Sequence, residues 1–386
     1  MSFNTTDIDF SILKKRAYNG RWATLPNDVI PLTAADPDFP IAPEIKQGIC
    51  DYVNAGYLSY GPFSGLDEFK QSVANHYNLR KAGNFVPNDV LAVNSAAQGM
   101  FLVAEYLVKP GDEAIIFDPV DFLFKKTIES VGGIVKFCRL EIATGTIDLN
   151  HLESLITPKT KLISICNPHN PLGFLYSKET LVAISEIALK HDIWVMSDEI
   201  WSDIVYDNKK FHTYSSVSEA AAQKSFTVYG FSKTFGLAGL RIGAILCKNE
   251  AVMVDFIEKS NFNSTIEGVA TLSQVAASVA LEKAWYWAEL FIQHLQKNRD
   301  LAVTMLKASG ILEATKPEAT FVIFPKITNG LDSDSFVKQA YDKGKVAIVP
   351  GSDRWFGPGA NGHVRICFST SSELLEEGIS RIIKSF

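Results

Sequence analysis

Between Asp89 and Ile245 the sequence alternates in a way that few folds accept. Short apolar runs occur at 90–93 (VLAV), 113–117 (EAIIF), 134–138 (IVKFC), 161–165 (KLISI), 193–197 (IWVMS), 225–230 (SFTVYG) and 241–246 (RIGAIL). Segments of helical periodicity at 96–107, 122–131 and 178–190 lie between most of them. Short strands joined by crossovers of roughly ten or more residues cannot pair as hairpins, so they predict a mostly parallel, doubly wound α/β sheet of seven strands flanked by helices. In such a sheet ligands bind beyond the carboxyl ends of the strands, and the loops there hold the candidate site.

Each of those loops carries something polar. The stretch Thr227–Ala244, TVYGFSKTFGLAGLRIGA, starts as a strand and breaks at Gly230. It then offers Lys233 between the hydroxyls of Ser232 and Thr234, and a glycine-rich turn carrying Arg241. Partial burial at a strand end lowers a lysine's pKa and suits it to act as nucleophile and base, while Arg241 can grip an anion with a two-pronged fork. Such a triplet is also common on solvated surfaces. The glycine spacing, G-x-x-G-x-x-x-G, does not match the dinucleotide-binding fingerprint. After the 90–93 strand, NSAAQGM opens a helix with backbone N–H groups at Ala97, Gln98 and Gly99, which suits an anion or a plain N-cap by Asn94 or Ser95. CNPHNPLG (166–173) is a proline-locked turn that can aim the amide of Asn170 into a site. Asp198 ends a strongly apolar run, where a carboxylate needs a cationic or N–H partner.

Outside the alternation the chain reads as accessory structure. Residues 1–33 form an irregular arm broken by Pro26 and Pro31, and AADPDFPIAP (34–43) is a rigid extended piece. Glu44 to Gly56 and Leu66 to Arg80 are helical, with a glycine-bounded loop carrying Tyr57 and Tyr60 between them. Those tyrosines suit packing against the next helix or contact with a ligand. A helical stretch at 281–308 is long enough to bridge two units. A smaller α+β unit follows, with strand-like runs at 320–324, 345–348 and 363–369 and helices at 333–343 and 371–385. Arg365 lies inside the last apolar run, where a guanidinium needs a bound anion or a structural carboxylate. The expected division is 1–48 as arm and part of the small domain, 49–285 as the large ligand-binding domain, and 286–386 as the small domain.

With 386 residues, more than one core is expected. A formal net charge of -6 argues against a nucleic-acid partner, and no apolar run approaches the ~20 residues of a membrane span. The N-terminus lacks the apolar core of a signal peptide. Five scattered cysteines suit reduced thiols in a cytoplasmic protein, and no histidine pairing suggests a metal.

A lysine and an arginine at one sheet edge, an anion cradle, a buried aspartate, a fixed asparagine and a second arginine can serve one ligand together: a pyridine aldehyde bearing a phosphate. Here the chain resembles the fold type I pyridoxal-phosphate enzymes of the class I/II aminotransferase family. ADPDF, the Y-x-x-Y-G loop, NSAAQG, NPHNPLG, SDEIW, GFSKTFGLAGLRIG and VRICFS occur in the family's order and cover nearly the whole chain. By that resemblance Lys233 forms the Schiff base with pyridoxal 5'-phosphate and shuttles the proton, and Asp198 pairs with the pyridinium nitrogen. Asn170 contacts the ring oxygen, while Ser232, Arg241 and the N–H groups of Ala97 and Gln98 bind phosphate. Arg365 binds the substrate carboxylate. Tyr60 reaches the neighbouring subunit's phosphate, which implies a homodimer with shared active sites.

Two positions depart from the pattern. The ring that usually stacks on the cofactor is replaced by Asp121, which leaves stacking to Phe122. A tyrosine usual three residues after the aspartate is Trp201, which has no O–H to offer. The reaction implied is transfer of an amino group between an L-amino acid and a 2-oxo acid. The alternative is a C–S β-lyase that releases pyruvate and ammonia, because the DEI-x-x-D-I block (Asp198 to Ile204) and ADPDF are similar to that branch. A binding protein that keeps the fold without turnover is a third reading, opposed by the intact Lys233 and Asp198. Trp355 and Phe356 suggest an apolar wall, and no second substrate-facing arginine is identifiable.

Overall fold

A computed structural model describes residues 3–386. The alternating region forms one sheet of eight strands: β1 (Val90–Val93), β2 (Glu113–Asp118), β3 (Ile134–Glu141), β4 (Thr146–Ile147), β5 (Thr160–Cys166), β6 (Trp194–Asp198), β7 (Ser225–Gly230) and β8 (Gly243–Leu246). Their spatial order is β1-β8-β7-β6-β5-β2-β3-β4. The strands from β7 through β6, β5 and β2 to β3 pair in parallel. β8 runs antiparallel to both of its neighbours, and β4 runs antiparallel to β3. All of β1, β2, β7 and β8 is buried, as expected of apolar runs covered on both faces.

Two expectations are corrected here. β4 adds an eighth strand, too short at two residues to leave an apolar signature. The 241–246 run begins as a strand only at Gly243, because Arg241 sits in a left-handed turn at φ 49°. Gly243 is there for space. A Cβ on it would stand 2.7 Å from the Tyr229 carbonyl oxygen and 2.8 Å from the Ala96 nitrogen. The missing side chain lets the loop after β1 press against the turn that carries Arg241.

The predicted helix over 178–190 forms as Lys178–Lys190, capped by Ser177, and the one over 96–107 forms as Ala96–Leu107. The 281–308 stretch is divided: one helix ends at Lys283, and a second runs Trp285–Ala308 with a break at Ala284. The arm is more ordered than its prolines suggested, with a helix at Phe10–Arg16 capped by Asp9. Ile30–Pro31 pairs in parallel with Val346–Ala347, which ties the arm to the C-terminal unit. That unit also contains a three-stranded antiparallel sheet of Val322–Ile323, Val364–Cys367 and Val349–Pro350. No helix among the described residues is long and apolar enough to cross a membrane.

Candidate active site

The site assembles where β1, β5, β6 and β7 end, as the strand order requires. β7 stops at Gly230 and the turn after it carries Lys233. The Lys233 Nζ donates to the Ala35 carbonyl oxygen at 2.7 Å and lies 5.2 Å from the centre of the Trp201 ring. Burial lowers the lysine's pKa and the nearby Arg365 lowers it further, while Asp36 works against both. An amine so placed is available neutral more readily than one in water.

Asp198 is the last residue of β6, the strand next to β7. Its Oδ1 accepts from the Ile200 N–H at 3.2 Å. Burial raises its pKa from 3.8 to about 7, the Ile200 N–H opposes this, and the charges of Asp121 and Glu199 add to the rise. A carboxyl in that condition calls for a cationic partner.

Asn170 stands on the turn after β5, in which both Asn–Pro bonds are cis. Its Nδ2 donates to Asp121 Oδ2 at 3.0 Å, and its Oδ1 accepts from Arg365 Nη1 at 3.3 Å. Arg365 Nη2 donates to the Thr33 carbonyl oxygen at 3.3 Å, and the guanidinium lies 5.1 Å from the centre of the Phe356 ring. Arg365 Nε is buried without a hydrogen-bond partner. The nearest carboxylate oxygen, on Asp121, is 4.0 Å away. A mid-strand arginine held by two carbonyl oxygens and one distant carboxylate retains capacity for an anion.

The candidate anion cradle is built from the turn before β8 and the loop after β1. Arg241 Nη2 donates to Ser95 Oγ at 2.8 Å, and Ser95 Oγ also caps the helix by accepting from Gln98 N–H at 3.2 Å. Gln98 Oε1 accepts from the Asn94 N–H at 2.8 Å. Gly99 N–H is spent on the Ser95 carbonyl oxygen inside the helix. Ala97 and Ser232 lie half-buried at the same end of the sheet.

Two of the sequence-derived residues, Phe122 and Tyr60, have other surroundings in the single chain. Phe122 packs edge-on against Trp355, ring centres 5.5 Å apart, and it is Asp121 that meets Asn170. Asp121 also caps the following helix through the Leu123 N–H. Tyr60 is 92% exposed in the single chain. Ala35 and Thr33 leave no trace in the sequence, because they act through backbone carbonyls. Ser95 reads there only as a helix cap, although the same hydroxyl holds Arg241.

These residues fit pyridoxal 5'-phosphate. A half-buried amine, a buried carboxyl short of a cation, an orphaned guanidinium nitrogen and a cationic helix-end cradle match the aldehyde, ring nitrogen, substrate carboxylate and phosphate it brings together. Fold and site define a pyridoxal-phosphate enzyme with a large, mostly parallel α/β sheet.

The chain matches the model of aminotransferase class I and II over residues 27–382 and belongs to that family. It is 32% identical over 364 residues to an aspartate aminotransferase of Pyrococcus abyssi, covering 92% of this chain and 91% of that protein. An aromatic aminotransferase structure from Pyrococcus horikoshii superposes with TM-score 0.86 at 28% identity, over 93% of this chain and 96% of that one. A cystalysin structure from Treponema denticola that contains pyridoxal 5'-phosphate superposes with TM-score 0.91 at 25% identity, over 99% and 98%. The chain is an aminotransferase that uses this cofactor.

Proposed function

We propose that the protein moves an amino group from a monocarboxylic, apolar L-amino acid to a 2-oxo acid, working as a homodimer. Lys233 is the proposed covalent anchor for the cofactor aldehyde, with Asp198 at the ring nitrogen, Asn170 at the ring oxygen, and Arg241, Ser95, Ser232 and the 97–98 N–H groups at the phosphate. When bound, the cofactor supplies an electron sink that weakens the substrate's Cα–H bond and carries the amino group between two acids.

The remaining chemistry belongs to the chain. Arg365 receives the substrate α-carboxylate, exchanging its carbonyl contacts for a two-pronged pair. Lys233 Nζ takes the proton at Cα and returns it to the other side of the reacting system, for which its lowered pKa suits it. Asp198 keeps a proton on the ring nitrogen by gaining there the cationic partner its burial demands. Trp201, 1% exposed, shields the amine from water.

The single observation that carries this reading is the half-buried amine of Lys233, which donates to the Ala35 carbonyl oxygen beside the Trp201 ring, on the turn after the strand next to the one that ends in buried Asp198. The carboxylates of Asp36 and Asp121 both act on Lys233 electrostatically, and they disfavour an acidic substrate side chain. Trp355 against Phe122, and Phe356 beside Arg365, favour an apolar one. The relative named for aspartate therefore differs from this chain in the substrate we propose.

Dimerisation is supported by the loop at 57–63, where Tyr57, Leu58, Tyr60 and Phe63 are 80%, 67%, 92% and 47% exposed. Such a run of large apolar groups marks an interaction surface. All five cysteines are free, which supports a reducing compartment such as the cytoplasm.

The experiment is a screen of amino acids against the visible absorbance of the loaded enzyme, beside an assay for pyruvate. Apolar amino acids should give their 2-oxo acids only when an acceptor 2-oxo acid is supplied. Pyruvate and ammonia from a cysteine conjugate without an acceptor would replace this reading with β-elimination, and aspartate as the best donor would overturn the substrate class.

A further inference from the structure

A second group of charges is buried beside the site and has no part in the roles above. The Asp203 side chain is 1% exposed. Its Oδ1 stands 2.9 Å from Lys81 Nζ and 2.8 Å from His76 Nε2. Its Oδ2 accepts from Tyr229 OH at 2.6 Å and from Thr234 Oγ1 at 2.9 Å. Lys81 Nζ donates in addition to Ser202 Oγ, and it lies 4.3 Å and 4.0 Å from the ring centres of Tyr77 and Tyr229. Burial alone would raise the carboxyl's pKa, but Lys81 and His76 hold it far below the ordinary range.

The partners come from separate pieces of chain. His76 belongs to the helix Asp67–Arg80 and Lys81 caps its end. Tyr229 is in β7, Thr234 directly follows Lys233, and Ser202 and Asp203 lie on the turn that descends from Asp198 past Trp201. One carboxylate thus fastens the lysine turn to the aspartate turn. An ion pair buried this deeply is costly to assemble, and apolar packing would fill the same space at less cost. What the charged arrangement adds is directional placement, because each partner is held at hydrogen-bond distance.

We propose that Asp203 is a positioning residue for amino transfer, which fixes Lys233 relative to Asp198 by holding Thr234 and the 198–203 turn on a single carboxylate. The inference rests on the roles proposed above for Lys233 and Asp198.

Thr234→Val tests it in the loaded enzyme, because that change removes only the hydroxyl arm nearest the lysine. Thr234→Ser restores the arm, and Tyr106→Phe, which loses a 2.7 Å hydrogen bond to Asp255 far from the cluster, is the stability control. Misplacing the lysine should lower kcat for Thr234→Val by roughly tenfold to a hundredfold, with KM within about twofold. Thr234→Ser should stay near wild type, and Tyr106→Phe should melt lower without loss of kcat. Asp203→Asn should lose more kcat than Thr234→Val; if it does not fold, Thr234→Val decides alone. A Thr234→Val enzyme with kcat within twofold of wild type overturns the proposal. Failure of the wild-type enzyme to transfer an amino group in the same assay counts against the functional reading instead.

Discussion

At the residue scale, Asp198 carries a charge that folding makes expensive. Its carboxyl titrates near 3.8 in an unfolded chain and at about 7 in the folded one, so the folded chain holds the proton more tightly. The cost is fully present above pH 7, shrinks as pH falls below 7 and is gone only below 3.8. Without cofactor, Asp198→Asn should therefore be more stable than wild type at pH 8, by on the order of a few kcal/mol, and by less than half as much at pH 5. Paired melting curves at the two pH values check this, and a gap that widens toward pH 5 would contradict it. Arg365→Lys keeps the charge but loses the fork. KM for the amino acid should rise roughly tenfold or more, with a smaller change in kcat, as steady-state kinetics will show. Lys233, Asp198, Asn170, Arg241 and Arg365 stood out in the sequence as candidates because each lies near a strand end or in an apolar run where its charge or amide needs a reason. Asp121 was recognised as a departure, but its partnership with Asn170 joins two loops, and that pairing is set by tertiary geometry.

At the scale of elements, the strands were legible wherever four or more apolar residues ran together, and the helices wherever a cap and a period agreed. The misses have physical causes. Arg241 and Ile242 continue the apolar rhythm of β8, yet the left-handed turn at Arg241 delays the strand. The arm helix is only Phe10–Arg16, too short for periodicity to declare itself. Ser95 is where an element's end becomes part of the site, since one hydroxyl both caps the helix and holds Arg241. Ser95→Ala should cost about 1 kcal/mol of stability through the lost cap. It should also weaken cofactor retention severalfold, because the arginine loses its anchor. Thermal melting and equilibrium dialysis of the cofactor report the two effects separately, and unchanged retention would remove Ser95 from the cradle.

At the scale of the whole molecule, the N-terminal arm closes over the lysine. Ala35 accepts from Lys233, and the buried pair of Arg21 with Asp38 at 2.6 Å pins the same segment. That connection spans about two hundred positions of sequence and no local pattern announces it. The exposed 57–63 loop is the feature that a single chain leaves unexplained. Light scattering should give twice the 42.6 kDa chain mass. Tyr60→Phe should preserve that mass while loosening the cofactor, if the hydroxyl reaches a neighbour's phosphate. A monomer that binds the cofactor at full strength would contradict both expectations.

The covalent role of Lys233 is tested most directly by reducing the cofactor-loaded protein with borohydride and mapping the modified peptide by mass. The account predicts one pyridoxyl group per chain, on Lys233, and none in Lys233→Ala. A label on another lysine, such as the buried Lys81, or a fully loaded protein that takes no label, would contradict it.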